Sequence, residues 1–158
     1  MMPNILATRI DNRLVHGQVG MTWTSWLGAN LVLVADDILA EDKVQQNLMD
    51  MVLADGVQSR YFSVQKTIDV IHKASPKQKI FLVCRTPQTV LALVEGGVPI
   101  SAVNVGNLHF AEGKKQIDKT VSVTEDDIRC FKALVEKGIP CTVQGIPADA
   151  KKDILSLL

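Results

Sequence analysis

The chain has 158 residues, with 17 basic and 17 acidic side chains and a formal net charge of zero. This balance predicts no broad cationic surface and therefore argues against nucleic acid as a partner. A hydrophobic fraction of 47% excludes a disordered chain, and an aromatic fraction of 4% predicts an aliphatic core typical of α/β proteins. The length suits one domain, and we expect residues 1–158 to form it.

Neither the cysteines nor the N-terminus indicates an exported protein. Cys84, Cys130 and Cys141 are an odd number without a C-x-x-C pair, as expected for a reduced, cytoplasmic chain. The first residues show no basic start followed by a long apolar run, so we expect no signal peptide. The longest apolar runs are far shorter than the roughly 20 residues of a transmembrane helix. We therefore expect membrane association only through partner proteins.

Short aliphatic runs alternate with segments of helical period along the chain. The predicted strands, in chain order, are residues 5–10, 31–35, 61–64, 80–84, 102–105, 120–123 and 141–143, with 61–64 the weakest pattern. A first helix is expected to begin near Gln18. Later helices are indicated by apolar residues at helical spacing: Val44, Leu48 and Met51; Val64, Ile68 and Ile71; Val90, Leu91 and Val94; and Ile128, Phe131, Leu134 and Val135.

Two helix starts carry clear capping signals. Thr86 followed by Pro87 predicts an N-cap with proline at the first helical position. Thr124 and Asp127 have the spacing of a capping box, with aspartate in place of the usual glutamate. Both signals precede apolar helical patterns, which strengthens the two helix predictions.

The alternation of strands and helices predicts a three-layer α/β/α fold with a mainly parallel central sheet of about seven strands. The pattern breaks at residues 106–120, where a connection rich in glycine and lysine joins two strand-like runs without a helix. We expect one antiparallel strand to enter the sheet there. Because ligands bind beyond the carboxyl ends of such strands, the loops that follow them are the candidate sites.

The loop after the first predicted strand has the richest chemistry. Arg13 offers a planar fork of donors that matches phosphate oxygens, and His16 can act as a nucleophile or base near neutral pH. Gly17 lets a bulky group approach the backbone, and the free N–H groups of a helix starting near Gln18 suit an anion. Asp11 would hold the imidazole in one tautomer or balance Arg13. Together these residues favour phosphoryl chemistry at His16, although similar residues also occur in solvated loops without chemistry.

The other two histidines have weaker patterns. His109 follows the fifth predicted strand, where it is either an acid–base partner or a histidine at the rim of the site. His72 stands near a predicted helix end, where a cation is favourable, so a structural role is favoured over a functional one.

Three further residue sets are expected to be structural. Asp36 and Asp37 suggest a metal site, but no H-x-H or H-E-x-x-H pattern accompanies them, and we expect no metal. Cys84 lacks the C-x5-R spacing of thiol phosphatases and fits a buried strand end. Trp23 and Trp26 lie on one side of a helix, where a core position is favoured over a docking role.

Residues 9–19, RIDNRLVHGQV, resemble the R-I-D-x-R-L-[IV]-H-G-Q-V signature of the mannose-family enzyme IIB component of the bacterial sugar phosphotransferase system. Residues 34–37, 103–110 and 113–115 extend this resemblance over essentially the whole chain. Residues 103–110 and 113–115, together with Gln45-Gln46 and residues 120–123, are most similar to the N-acetylgalactosamine branch.

The resemblance implies a phosphoryl relay without a cofactor. A IIA component would transfer a phosphoryl group to His16, with Arg13 as the nearby cation. The chain would then pass it to a sugar, such as N-acetylgalactosamine, held by the membrane components IIC and IID. The family suggests Nδ1 as the attacking nitrogen. We expect a shallow site with an apolar surround of Leu14, Val15 and Met21.

Two other functions compete with this interpretation. One is a soluble hydrolase of phosphate esters, with His16 as nucleophile and His109 or Asp36 as acid. The other is a non-catalytic module of the flavodoxin type that binds a nucleotide or metabolite. A hydrolase would turn over free phosphate esters, and a binding module would carry no acid-labile phosphate.

Overall fold

The computed structural model describes residues 2–158, so residue 1 of the predicted domain lies outside the described residues. These described residues contain nine strands: β1 (Asn4–Asp11), β2 (Leu31–Ala35), β3 (Gln58–Phe62), β4 (Lys79–Cys84), β5 (Val103–Asn107), β6 (Lys115–Asp118), β7 (Val121–Val123), β8 (Cys141–Val143) and β9 (Lys152–Asp153). The predicted strand at 61–64 is displaced, because Ser63 caps the following helix.

Seven strands form the central sheet in the order β3-β2-β4-β1-β5-β8-β9. All neighbouring pairs are parallel except β8 and β9, where Val143 pairs with Lys152. The predicted fold class is therefore confirmed. The predicted position of the antiparallel strand is wrong, because β6 pairs with β7 in a separate two-stranded sheet. Strand β9 has only two residues, both exposed, and so shows no apolar pattern in the sequence.

In the described part of the chain, five α-helices flank the sheet: α1 (Thr24–Leu27), α2 (Lys43–Asp50), α3 (Val64–Val70), α4 (Pro87–Glu95) and α5 (Glu125–Glu136). A π-helix at Gln18–Trp23 leads directly into α1, as expected for a helix that begins near Gln18. The N-cap at Thr86 and the capping box between Thr124 and Asp127 are both present. Within residues 2–158, every helix is too short or too polar to span a bilayer.

The apolar stripe of α2 faces solvent rather than the core. Val44, Leu48 and Met51 are 71%, 53% and 77% exposed. The buried residues of α2 are Gln46 and Met49, because the Gln46 amide donates to the carbonyls of the preceding 3-10 turn, Leu39–Glu41. Hydrogen bonding of these carbonyls has therefore set the rotation of the helix.

The helices lie in two layers, one on each face of the sheet. One core cluster contains Val19, Trp23 and Met49 from the segments that follow β1 and β2, and the other contains residues of α4 and α5. The chain therefore leaves β1 toward one face and leaves its neighbours β4 and β5 toward the other. A crevice forms at such a switch point beyond the carboxyl ends of the strands. The loop that follows β1 lies there.

Candidate functional site

Asp11 is the centre of the site. It ends β1, and its side chain is fully buried. Its Oδ2 accepts from His16 Nε2 at 2.8 Å, from Arg9 Nη2 at 3.1 Å and Nε at 3.3 Å, and from Arg13 Nη2 at 3.2 Å. Its Oδ1 accepts from the backbone N–H of Arg13 at 3.0 Å and from Arg13 Nε at 3.2 Å. One carboxylate thus joins the three basic residues of the signature.

A tight turn brings His16 back toward Asp11. The N–H of Leu14 donates to the carbonyl of Asp11 at 2.9 Å, and Leu14 adopts a left-handed conformation with φ of 57°. That conformation is uncommon for a large side chain, and the burial of Leu14 in the core offsets its cost. The turn therefore reverses the chain while the leucine anchors it.

Hydrogen bonding defines the tautomer of His16. Burial raises the pKa of Asp11, but hydrogen bonds from His16 and Arg13 outweigh that effect and hold its pKa well below the ordinary value. The carboxylate is therefore ionised and can only accept, so the Nε2 of His16 must carry the hydrogen. A neutral imidazole with Nε2–H has its lone pair on Nδ1. The side chain of His16 is 19% exposed.

Arg13 lies at the open side of the same cluster. Its Nε and Nη2 donate to Asp11, and Nη2 also approaches Oε1 of Gln18 at 3.4 Å. Its side chain is 38% exposed, and its Nη1 has no hydrogen-bond partner within residues 2–158. A Cβ added at Gly17 would meet open space, so the backbone between His16 and Gln18 is accessible to an approaching group.

The predicted apolar surround of the site is only partly correct. Leu14 and Val15 are buried in the core cluster that also contains Val19. They support the loop from below and do not form a contact surface. Met21, on the π-helix, is half exposed and is the one residue of the three that faces outward.

The acidic pair after β2 has structural partners. Asp36 accepts from Arg85 Nε and Nη2 at 3.0 and 3.1 Å and from the N–H of Leu39. Asp37 accepts from the N–H of Val64 at the start of α3. Across the described part of the chain, no three His, Cys, Asp or Glu side chains cluster closely enough to hold a metal ion.

The other candidates lie outside the Asp11 cluster. His109 follows β5 at the same edge of the sheet, is exposed, and its carbonyl accepts from Lys114. His72 is in the 3-10 turn Ile71–Lys73, which leads to the amino end of β4. Cys84 is buried, and burial raises the pKa of its thiol. Trp23 is buried as expected, whereas Trp26 is exposed and packs edge-on against it.

Arg9 has no predicted role beyond its place in the signature, yet its guanidinium is fully buried beneath Asp11. The other groups around this guanidinium come from distant parts of the chain: Trp23, Asn104, Gly106 and Gln144. The available signal was a charged residue among the aliphatic residues of the first strand.

Comparison with known proteins assigns the family. Residues 5–158 match the family model described as "PTS system sorbose subfamily IIB component". The chain belongs to this family of phosphotransferase system IIB components. It is 57% identical over 157 residues to the N-acetylgalactosamine-specific phosphotransferase enzyme IIB component 2 of Escherichia coli K12, covering 99% of this chain and 100% of that one.

Two solved structures have the same fold. The N-acetylgalactosamine-specific IIB component 1 of Escherichia coli matches with a TM-score of 0.91 and 55% identity, over 95% of this chain and 99% of that one. An N-acetylgalactosamine IIB component from Streptococcus pyogenes matches with a TM-score of 0.94 and 42% identity, over 100% and 99% of the two chains. This IIB component is therefore a phosphotransferase of a sugar uptake system, and the hydrolase and binding-module alternatives are set aside.

Proposed function

We propose that His16 is the phosphoryl acceptor of this IIB component and that Nδ1 is the nitrogen that attacks phosphorus. The supporting observation is the 2.8 Å hydrogen bond between His16 Nε2 and the ionised Asp11. That bond places the hydrogen on Nε2 and leaves the lone pair on Nδ1. Asp11 thus orients the imidazole in the tautomer that the transfer requires.

In the first transfer, Nδ1 attacks the phosphoryl group in line as its bond to the donor histidine of IIA breaks. Negative charge on the equatorial oxygens is met by Nη1 of Arg13 and by backbone N–H groups at the helix start, near Gly17 and Gln18. In the second transfer, a sugar hydroxyl attacks phosphorus and gives its proton to water or to a base on the sugar-binding component, while the electron pair of the breaking P–N bond returns to Nδ1. Partial exposure of His16 allows two different partners to reach the same nitrogen in turn.

The partners and sugar proposed for this chain follow from its family. Components of the mannose and sorbose families work with IIA and with membrane IIC and IID, and we assign this chain the same partners. The names of its relatives support N-acetylgalactosamine as the sugar. We further propose that residues 1–158 act as one cytoplasmic unit, which reaches the membrane through IIC and IID.

The test is phosphorylation of the purified chain by phosphoenolpyruvate, enzyme I, HPr and the cognate IIA, followed by mapping of acid-labile phosphate. Wild type should carry the label on His16. His16→Gln should fold and accept none, whereas His109→Ala should accept a full equivalent. Full labelling of folded His16→Gln would exclude this assignment. Loss of labelling in folded His109→Ala would instead favour a site in which both histidines take part.

The sugar is tested separately, because it meets this chain only during the second transfer. Membrane vesicles that contain IIC and IID should phosphorylate N-acetylgalactosamine when supplied with the labelled chain. Transfer to mannose or sorbose in preference to N-acetylgalactosamine would overturn the proposed sugar while leaving His16 as the acceptor.

A further inference from the structure

The guanidinium of Arg9 is fully enclosed, and three residues accept hydrogen bonds from it. Nε and Nη2 donate to Oδ2 of Asp11 at 3.3 and 3.1 Å, and Nη1 donates to Oδ1 of Asn104 at 2.7 Å and to the carbonyl of Gln144 at 3.2 Å. Its Cζ lies 5.2 Å from the centroid of the Trp23 ring. No part of the side chain reaches solvent.

A buried ion pair of this kind is weak evidence for a purely stabilising role. Burial lowers the pKa of Arg9, and the adjacent Asp11 opposes that shift. Ion pairs of this kind are commonly replaceable by well-packed apolar side chains without loss of stability. The arrangement therefore indicates a use beyond stability, and the other groups that contact Asp11 Oδ2 are Nη2 of Arg13 and, at the shortest distance, the imidazole of His16.

Gly106 makes this arrangement possible. It lies in β5 beside β1, and a Cβ added there would overlap Cζ and Nη2 of Arg9 and lie 2.6 Å from its Nε. The guanidinium cannot yield easily, because its nitrogens are held by Asp11, Asn104 and Gln144. The guanidinium of Arg9 therefore occupies space that only a glycine at position 106 leaves free.

We propose that Arg9 is a positioning residue for phosphoryl transfer, which acts on His16 through Asp11. It holds Oδ2 from below so that the same oxygen receives Nε2–H from above. The carboxylate then cannot rotate to satisfy Arg13 alone, and His16 keeps its lone pair on Nδ1. This proposal rests on the proposed function of His16, but the tautomer of His16 can be measured without any transfer.

Gly106→Ala is the main test, because it disturbs Arg9 while leaving Asp11 and His16 unchanged. The ring nitrogens of His16 are observed by 15N NMR, with His72 and His109 as internal references in the same spectrum. We expect the Nε2–H tautomer in wild type and a mixture of tautomers in Gly106→Ala. Single-turnover transfer from phospho-IIA should slow roughly ten- to a hundredfold, the scale expected for a small misplacement of a reacting group.

Gly96→Ala is the matched control for an added methyl group. Its Cβ would lie 2.7 Å from Cγ1 of Ile68, far from the Arg9 cluster, so it should lower stability without changing the His16 tautomer or the transfer rate. Arg9→Met should reproduce the loss seen in Gly106→Ala. Arg9→Lys, which restores a cation facing Asp11, should recover part of both the tautomer and the rate.

A folded Gly106→Ala or Arg9→Met variant with the wild-type tautomer and rate would overturn the proposal. If both fail to fold, Asn104→Ala removes the 2.7 Å contact with Nη1 together with the hydrogen bond from Asn104 to the Gln144 carbonyl, and unchanged tautomer and rate in that variant would equally overturn the proposal. If wild type is not labelled on His16, the proposed function fails. The tautomer measurement still decides whether Arg9 orients the imidazole.

Discussion

Replacement of Asp11 by asparagine removes the one negative charge that three basic residues share. The amide has nearly the same shape as the carboxylate, but one of its two acceptor oxygens becomes an NH2 donor. In one orientation that NH2 faces Arg9, Arg13 and His16, and in the other it faces the N–H and Nε of Arg13. Either orientation places donors against donors and leaves the buried guanidinium of Arg9 without a counter-charge.

The expected effect on transfer is large because a neutral amide no longer fixes the tautomer of His16. When the NH2 faces Nε2 it moves the hydrogen to Nδ1, and when the uncharged amide oxygen faces Nε2 it holds that hydrogen less firmly than the carboxylate does. Removal of the orienting carboxylate in a Ser-His-Asp triad costs about 10⁴ in rate for this reason, and we expect a loss on the order of 10³ to 10⁴ for Asp11→Asn. The rate of single-turnover transfer from phospho-IIA, compared with that of wild type, measures this loss.

The same substitution should lower stability. Arg9 and Asp11 are both fully buried, and breaking such a pair costs about 3–5 kcal/mol. For a chain of this size the melting temperature should fall by roughly 6–20 °C, from about 2–4 °C for each kcal/mol. Thermal unfolding followed by circular dichroism gives this value.

Asp37→Asn is the matched control. It makes the same chemical change at the same edge of the sheet, where the exposed Asp37 only accepts from the N–H of Val64. We expect its transfer rate to equal that of wild type and its stability to change by less than about 0.5 kcal/mol. If folded Asp11→Asn transferred as fast as Asp37→Asn, Asp11 would have no part in orienting His16.

Three further predictions concern the same loop. Arg13→Ala should raise the activation free energy of transfer by about 3 kcal/mol, which slows transfer roughly a hundredfold in single-turnover assays. Arg13→Lys should slow it less, and both variants should bind IIA as wild type does. A wild-type transfer rate in Arg13→Ala would mean that donors other than Arg13 stabilise the phosphoryl oxygens. Leu14→Ala should lower the free energy of unfolding by about 2–5 kcal/mol in urea titrations, because it empties a fully buried position; no loss would contradict its role as an anchor. The folded pKa of Asp11 is depressed, so its contribution to stability is complete above its ordinary value near 4 and is lost as the pH falls toward the folded value. The difference in unfolding free energy between wild type and Asp11→Asn should therefore be constant from pH 5 to 8 and shrink at pH 3, and a difference independent of pH would refute this.

Much of the fold was predictable because its signals are local. Strands β2 and β8 match their predicted bounds, since short aliphatic runs between turn residues have few alternatives. The caps at Thr86 and Thr124 depend on residues within three positions, and both form. Prediction failed where a partner outside the segment decided the outcome. Strand β9 is specified by pairing with β8, and the rotation of α2 by carbonyls that Gln46 satisfies.

The candidate site divides in the same way. Asp11, Arg13 and His16 lie within six residues, so their placement beyond one strand could be inferred from the sequence alone. The surroundings of Arg9 could not, because Asn104 and Gln144 are 95 and 135 residues away along the chain. Only the pairing of β1 with β5, and of β5 with β8, brings them together and places Gly106 beside the guanidinium. A buried charge depends on which distant groups desolvate and satisfy it, and those groups are adjacent only after the sheet has formed.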